Sequence, residues 1–303
     1  MLDVERSTVP KPRDREEWLA LRRPYFNASA AGVLLGRHPY LTLGDYYTIK
    51  VTGREQRETS AMRRGTRLES VIAEWWAEEY GGNTGLEAPD VLYIGGPFMA
   101  TLDRWAQDYD SPLEIKSANS YVSKPLQHWV DQCQVQMICT GASEVQLVWF
   151  DSSMELQEAV IEEDAALQAE LLDRAHRFLA SVEFGIEPED LSYQNIVALH
   201  PHPAGRVELD DQALDLAREL ATARRIKRDA GKDEEVLKDR LARVLGDAEV
   251  GDYHGHEVVT WKATAPSTRL DVDMLTADYP DLVERYSRPV AGTRRLLVKL
   301  GDE

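Results

Sequence analysis

Apolar positions recur at helical spacing in several stretches of the chain. The clearest is Ala61–Tyr80, where Leu68, Ile72 and Trp75 share one face and Gly81-Gly82 ends the run. Glu16–Arg22 reads as a short helix containing Trp18, Leu19 and Leu21. Asn27-Ala28-Ser29 offers a cap for a helix over Ala30–Leu35, which Gly36 and Pro39 stop. Thr42–Val51 closed by Gly53, Gln127–Cys139 and Asp164–Phe184 complete the helices of the first two thirds. Val91–Ile94 and Phe98–Leu102, joined by Gly95-Gly96-Pro97, read as a hairpin, and Val145–Phe150 as a buried strand. Residues 1–15 are polar with two prolines and read as a loose arm.

Glu187–Arg206 contains three prolines and little periodicity, so it reads as a connector. Beyond it, Asp210–Arg228 and Asp233–Leu245 read as two charged helices, and Glu257–Lys262 and Arg294–Leu300 as strands. This order predicts an α/β chain. A mixed-sheet core with flanking helices spans 1–186, a connector spans 187–206, and a C-terminal helix-and-strand extension of unassigned role spans 207–303. There is no internal repeat and no low-complexity tract.

Composition narrows the setting. The 303 residues are 43% hydrophobic, enough for a sizeable core. No apolar stretch approaches a membrane span, and the N-terminus lacks the apolar segment of a signal peptide. The two cysteines, Cys133 and Cys139, lie six apart in a predicted helix, about 9 Å along its axis and on different faces, too far to bridge. The chain therefore reads as cytosolic and reduced. A net charge of −18 argues against indiscriminate coating of DNA but leaves room for a local basic patch. The densest basic cluster, Arg224-Arg225-Ile226-Lys227-Arg228, fits a solvated helix end and a DNA grip equally well. His200-x-His202 and His254-x-His256 have the look of metal pairs, but their segments contain Pro or Gly and no cysteine lies near.

The chemistry concentrates near residue 110. The run Phe98–Leu102 ends on Asp103, a turn-forming stretch follows through Pro112, and Leu113-Glu114-Ile115-Lys116 forms a second strand. Alternation puts Glu114 and Lys116 on one face and Ile115 on the other. A hairpin brings Asp103 alongside, giving two carboxylates and an ammonium suited to a hard divalent cation and an attacking water. This is the D…ExK pattern of metal-dependent nucleases. By itself the pattern also fits a solvated hairpin, because 53 acidic residues make such a spacing common.

Further residues stand at matching intervals around it. Trp18 lies four before Arg22 and Ser29 seven after it; Gly65 lies four before Glu69; Gln132 lies eight before Thr140. With Asp103, Glu114 and Lys116, this ordered set resembles the lambda exonuclease and YqaJ-like viral recombinase family of the PD-(D/E)XK nuclease superfamily, over roughly residues 16–185. The resemblance implies a restriction-endonuclease-like core and a Mg²⁺- or Mn²⁺-dependent 5′-to-3′ exonuclease on double-stranded DNA ends. Its products would be 5′-mononucleotides and 3′ single-stranded tails. It also implies a ring-shaped homotrimer, a single-strand annealing protein as partner, and work inside the host cell of a phage or prophage.

Roles carry over by position. The resemblance makes Glu69, Asp103 and Glu114 metal-binding carboxylates, completed by the Ile115 carbonyl. It makes Lys116 the group that orients or deprotonates the attacking water, and Gln132 a positioner of the nucleophile or of a DNA phosphate. Arg22 and Ser29 match a pocket for a terminal 5′-phosphate, where a guanidinium fork suits phosphate oxygens. One departure stands out: the family often has Gly after the motif aspartate, and here it is Arg104. Two alternatives remain. One is an endonuclease or Cas4-like nuclease on the same core, though Cas4-like proteins carry four cysteines. The other is a non-catalytic DNA-end-binding recombination protein.

Overall fold

A computed structural model describes residues 4–53, 59–81, 85–289, 292 and 294–299. The chain divides into two compact units, Met1–His200 and Pro201–Glu303.

The first unit is mixed α/β. Its elements are β1 (Arg6–Pro10), α1 (Arg15–Arg22), β2 (Phe26–Asn27), a 3₁₀ turn (Ala28–Ala30), α2 (Ala31–Leu34), α3 (Leu43–Thr52), α4 (Ser60–Glu79), β3 (Leu86–Glu87), β4 (Val91–Gly95), β5 (Phe98–Ala100), β6 (Arg104–Ala106), β7 (Ser111–Ser117), α5 (Gln127–Thr140), β8 (Glu144–Phe150), β9 (Leu156–Glu162), α6 (Ala165–Phe184) and α7 (Tyr193–Leu199). One sheet has the order β1-β4-β5-β2 and the other β3-β6-β7-β8-β9. Two pairs are parallel, β2 with β5 and β7 with β8. The chain passes from the first sheet to the second between Ala100 and Arg104, so Asp103 stands at the crossing.

Strand β7 is buried along Ser111–Ile115 and separates two layers. Ile115 joins Ile72, Ala73 and Trp76 of α4 in one apolar cluster. Glu114 meets α5 through Gln132 and Gln136. The period-2 alternation of a strand thus sends one residue of the motif to each helix. Helix α5 is buried from Asp131 to Cys139, which explains its weak amphipathic signal. Phe26, Tyr46, Phe98, Val135, Ile138 and Phe178 belong to a second cluster that joins α3, α5 and α6 to the first sheet. Gly95 permits the close approach of α5: a Cβ there would lie 2.7 Å from Cys139 Cα and from Ile138 O. Both cysteines are free and buried.

Several expectations need correction. The N-terminal stretch read as a loose arm contains β1, which pairs antiparallel with β4 from Arg6↔Gly95 to Pro10↔Val91. A polar edge strand shows little alternation, and Pro10 is tolerated at its end. The strand read over Phe98–Leu102 ends at Ala100, because the chain there changes sheets. The stretch read as a connector holds α7, started by a capping box of Ser192 and Asn195. Strand β9 is half exposed and was masked by its charges. Gly82, read as part of the stop after α4, lies outside the described residues.

In the second unit the two charged helices are one, α8 (Asp211–Leu245, 35 residues). A single Gly231 in an exposed helix costs only ~1 kcal/mol and its neighbours favour helix, so it does not act as a stop. Here β10 (Val250–Tyr253) pairs with β11 (His256–Thr260), and α9 (Val272–Asp278) and α10 (Pro280–Tyr286) follow. Residues 294–299 form no strand. The Leu296 carbonyl accepts a hydrogen bond from Arg224 Nη2 of α8 rather than from a neighbouring strand. Leu300, the last residue of that expected strand, lies outside the described residues. Among the described residues, no helix is long and apolar enough to cross a membrane.

Candidate active site

The hairpin β6–β7 pairs Arg104 with Leu113 and Ala106 with Ser111. Its turn is closed by Asp110 at φ 47°, a conformation Asp tolerates better than most residues. Past Leu113, β7 extends beyond β6, and the chain leading into β6 places Asp103 beside that free edge. The Asp103 carboxylate accepts the Ile115 N–H at 2.8 Å. In an extended strand a residue's N–H and C=O point to the same edge, so the Ile115 carbonyl faces this edge too.

Glu114 is 2% exposed. Its Oε1 accepts from Gln132 Nε2 at 2.6 Å and from Lys116 Nζ, and its Oε2 accepts from Gln136 Nε2. Lys116 also donates to Gln132 Oε1 at 2.8 Å. Lys116 and Glu114 fix the amide orientation of Gln132, since an ammonium only donates and a carboxylate only accepts. Burial works against the Lys116 ammonium, but Glu114 and Asp103 outweigh it and hold its pKa above the ordinary value. Burial first, and then Glu114, raises Asp103 well above the usual carboxylate range; Glu69 adds to this, while Lys116 and the Ile115 N–H oppose it. Three acids thus crowd one spot around a single ammonium.

Glu69, on the α4 turn before Ile72 and Ala73, points to this group but is held by Arg104. Arg104 Nη1 donates to Glu69 Oε1 at 2.7 Å and to the Asp103 carbonyl at 2.5 Å. The residue that replaces the resemblance's glycine therefore neutralises one of the acids.

An all-oxygen donor set of Glu69, Asp103, Glu114 and the Ile115 carbonyl suits Mg²⁺ or Mn²⁺ rather than a softer ion. The excess of negative charge recorded in Asp103 is what a cation would relieve. Among the described residues, no three His, Cys, Asp or Glu side chains already form a metal cage. Glu69 is turned to Arg104 and Glu114 to the two glutamines, so loading requires side-chain rotation.

A small cavity of about 30 Å³ opens beside this cluster, with Trp18, Arg22, Asn27, Ser29, Thr101 and Gln132 in its wall. The Arg22 guanidinium lies over the Trp18 ring at 5.1 Å. Trp18 Nε1 is buried without a hydrogen-bond partner. Gln132 belongs both to the cavity wall and to the Glu114–Lys116 network.

All eight residues singled out by sequence fall into these two adjoining groups. Asp103, Glu114, Ile115, Lys116 and Gln132 are in direct contact or one bond removed, Glu69 joins through Arg104, and Arg22 and Ser29 line the cavity. Sequence reasoning missed Gln136, Thr101 and the part played by Asn27. Gln136 lies one helical turn beyond Gln132, and Thr101 two residues before Asp103 in extended chain, so periodicity alone could have found both.

Residues 17–143 match the YqaJ-like viral recombinase domain family. Among similar solved structures is an alkaline exonuclease from Laribacter hongkongensis, 27% identical, covering 57% of this chain and 94% of that one with a TM-score of 0.46. A phage-related exonuclease from Haemophilus somnus is 11% identical and covers 56% of this chain and 99% of that one, TM-score 0.44. A putative exonuclease from Eubacterium rectale is 12% identical and covers 68% of this chain and 98% of that one, TM-score 0.44. No curated protein matches the chain.

Proposed function

We propose, from the match of residues 17–143 to the YqaJ-like viral recombinase domain family and from the geometry above, that this chain is a metal-dependent nuclease that digests double-stranded DNA from its ends, 5′ to 3′. The observation that carries the reading is the double membership of Gln132. One amide joins the Glu114–Lys116 pair to the cavity that holds Arg22. A hydrolytic centre beside a small recess that holds an arginine suits a terminal phosphate, and this favours an exonuclease over an endonuclease.

In this reading Glu69, Asp103, Glu114 and the Ile115 carbonyl would hold Mg²⁺ or Mn²⁺. When bound, the cation supplies Lewis-acid polarisation of the phosphate and a more acidic water. The chain's own groups do the rest. Lys116 stays an ammonium and puts a fixed positive charge where the phosphorane gains negative charge. Gln132 holds Lys116 and Glu114 in register and faces the bound end. Gln136 fixes the far oxygen of Glu114. Arg22 takes the phosphate oxygens through its fork, and Ser29 and Thr101 offer hydroxyls. The unpartnered Trp18 indole N–H is a further donor for an oxygen-rich group. Contacts of this kind read phosphate and not base, so sequence preference should be low.

A homotrimer around DNA, an annealing partner and a phage-type recombination role in the host cytoplasm belong to the same reading. Its test is digestion of linear and covalently closed circular duplex, with Mg²⁺ and with chelator. The reading expects loss of the linear form only, and only with metal. Cleavage of the circle points to an endonuclease, and binding of ends without digestion points to a non-catalytic protein.

A further inference from the structure

We infer that Asn27, held in place by Tyr46, is a positioning residue that aims Arg22 and thereby sets how strongly the chain favours a phosphorylated DNA end. The inference rests on the proposed end-reading role of Arg22 and adds the residues that give it direction.

Arg22 is the last residue of α1, and two of the contacts that restrain its side chain are with Trp18 and Asn27. Its guanidinium lies on the Trp18 ring, and its Nε donates to Asn27 Oδ1 at 3.1 Å. A guanidinium that lies over a ring and has its Nε committed has little freedom left to turn. Asn27 is fixed in turn. Its backbone N–H and its Nδ2 both donate to the Tyr46 hydroxyl, at 3.1 and 2.7 Å. The arginine can only donate, so the amide oxygen must face Arg22 and the amide nitrogen Tyr46. Tyr46 is 4% exposed and packs on Phe26 at 4.5 Å and on Phe178 at 5.5 Å. Burial pushes its hydroxyl up to about 12, so it stays a neutral acceptor at any working pH.

The local sequence shows that this arrangement has a local cost. Asn27 precedes a helical turn and is the residue type expected to cap it. Its side chain makes no capping bond there. The amide is used on Arg22 and Tyr46 instead, which is the mark of a site that departs from local rules for another purpose. Behind the pair, Lys50 Nζ donates to the Arg22 carbonyl at 2.9 Å and to the Tyr25 carbonyl. The backbone that carries Arg22 is thus held as well as its tip.

An aimed guanidinium loses less rotamer freedom on meeting an anion than a loose one, and bidentate geometry is assembled in advance. The gain applies only where a phosphate is present, so it appears as discrimination between ends.

The experiment is the ratio of digestion rates for 5′-phosphorylated and 5′-hydroxyl linear duplex at one salt concentration, with Mg²⁺. Wild type, Arg22→Ala, Asn27→Ala, Asn27→Asp and Tyr46→Phe are compared. Asn27→Ala is expected to lower the ratio roughly tenfold, in line with loss of a hydrogen bond to a charged group. Tyr46→Phe should lower it several-fold. Asn27→Asp should restore most of it, because a carboxylate still accepts from Arg22 Nε. If Arg22→Ala lowers the ratio while Asn27→Ala and Tyr46→Phe leave it at the wild-type value, the orienting pair is refuted and the end-reading role stands. If Arg22→Ala leaves the ratio unchanged, the end-reading role itself is wrong and the inference falls with it. Equal slowing of both substrates by Asn27→Ala, without rescue by Asp, marks a structural role and also overturns the inference.

Discussion

The Asp103 carboxylate accepts the Ile115 backbone N–H at 2.8 Å. The first acid of the motif is thereby tied to the strand that carries the second, across a separation of twelve residues in the chain. The bond sets how far Asp103 stands from Glu114 whatever the loop between them does. It also leaves Glu114 close enough to raise the cost of ionising Asp103.

Gln136 gives a stability prediction. It is fully buried and donates to Glu114 Oε2, while its own Oε1 has no partner. Gln136→Leu removes the orphan oxygen but strands a buried carboxylate oxygen, and the second effect should dominate. We expect a loss of ~1–3 kcal/mol in urea unfolding without added metal. Divalent cation should recover part of the loss in the variant, because it can take the freed oxygen.

Arg104 gives a prediction about metal affinity. It neutralises Glu69, so a cation that recruits Glu69 must displace it. The pair is partly exposed and worth at most ~1 kcal/mol, so Arg104→Ala should tighten Mn²⁺ binding by roughly two- to fivefold. Titration calorimetry on the DNA-free protein reads this directly. Unchanged or weaker binding would show that Glu69 does not enter the metal site.

Lys50 gives a pH prediction. It is 6% exposed, its ammonium lies 5.3 Å from the Tyr46 ring centroid, and Arg22 is the neighbouring cation. Burial, with Arg22 adding, lowers its pKa to about 7. In the unfolded chain the ordinary value applies, so between about pH 7 and 10.5 the unfolded state binds more protons. Stability from this group therefore rises with pH across that window and is lost as pH falls through 7. Urea unfolding at pH 7 and pH 9 should show this slope in wild type and a shallower one in Lys50→Met.

Much of this was legible in the sequence because it is local. The D…ExK alternation needs only a strand, and β7 is one. Glu69 sits on a helix whose periodicity is plain, and Gln132 on a helical run long enough to read despite its weak amphipathic signal. What stayed hidden depends on partners distant in sequence. Strand β1 exists because β4 offers an edge, and Arg6–Pro10 carries no strong signal of its own. Asn27 looked like a cap because its neighbours in sequence suggest one, while its true partners are Arg22 and Tyr46. Helix α8 continues through the gap between the two expected helices, because Gly231 costs little in a long exposed helix.

The central claim is that Glu114 and Lys116 form the hydrolytic centre of an end-directed nuclease. Single-turnover digestion of a 5′-phosphorylated linear duplex, with DNA binding measured on the same samples, tests it most directly. Glu114→Ala and Lys116→Ala should each slow digestion by roughly 10²–10³-fold or more while DNA binding survives, as for loss of a group that acts on transition-state charge. Digestion near the wild-type rate by either variant, in excess Mg²⁺, would contradict the account.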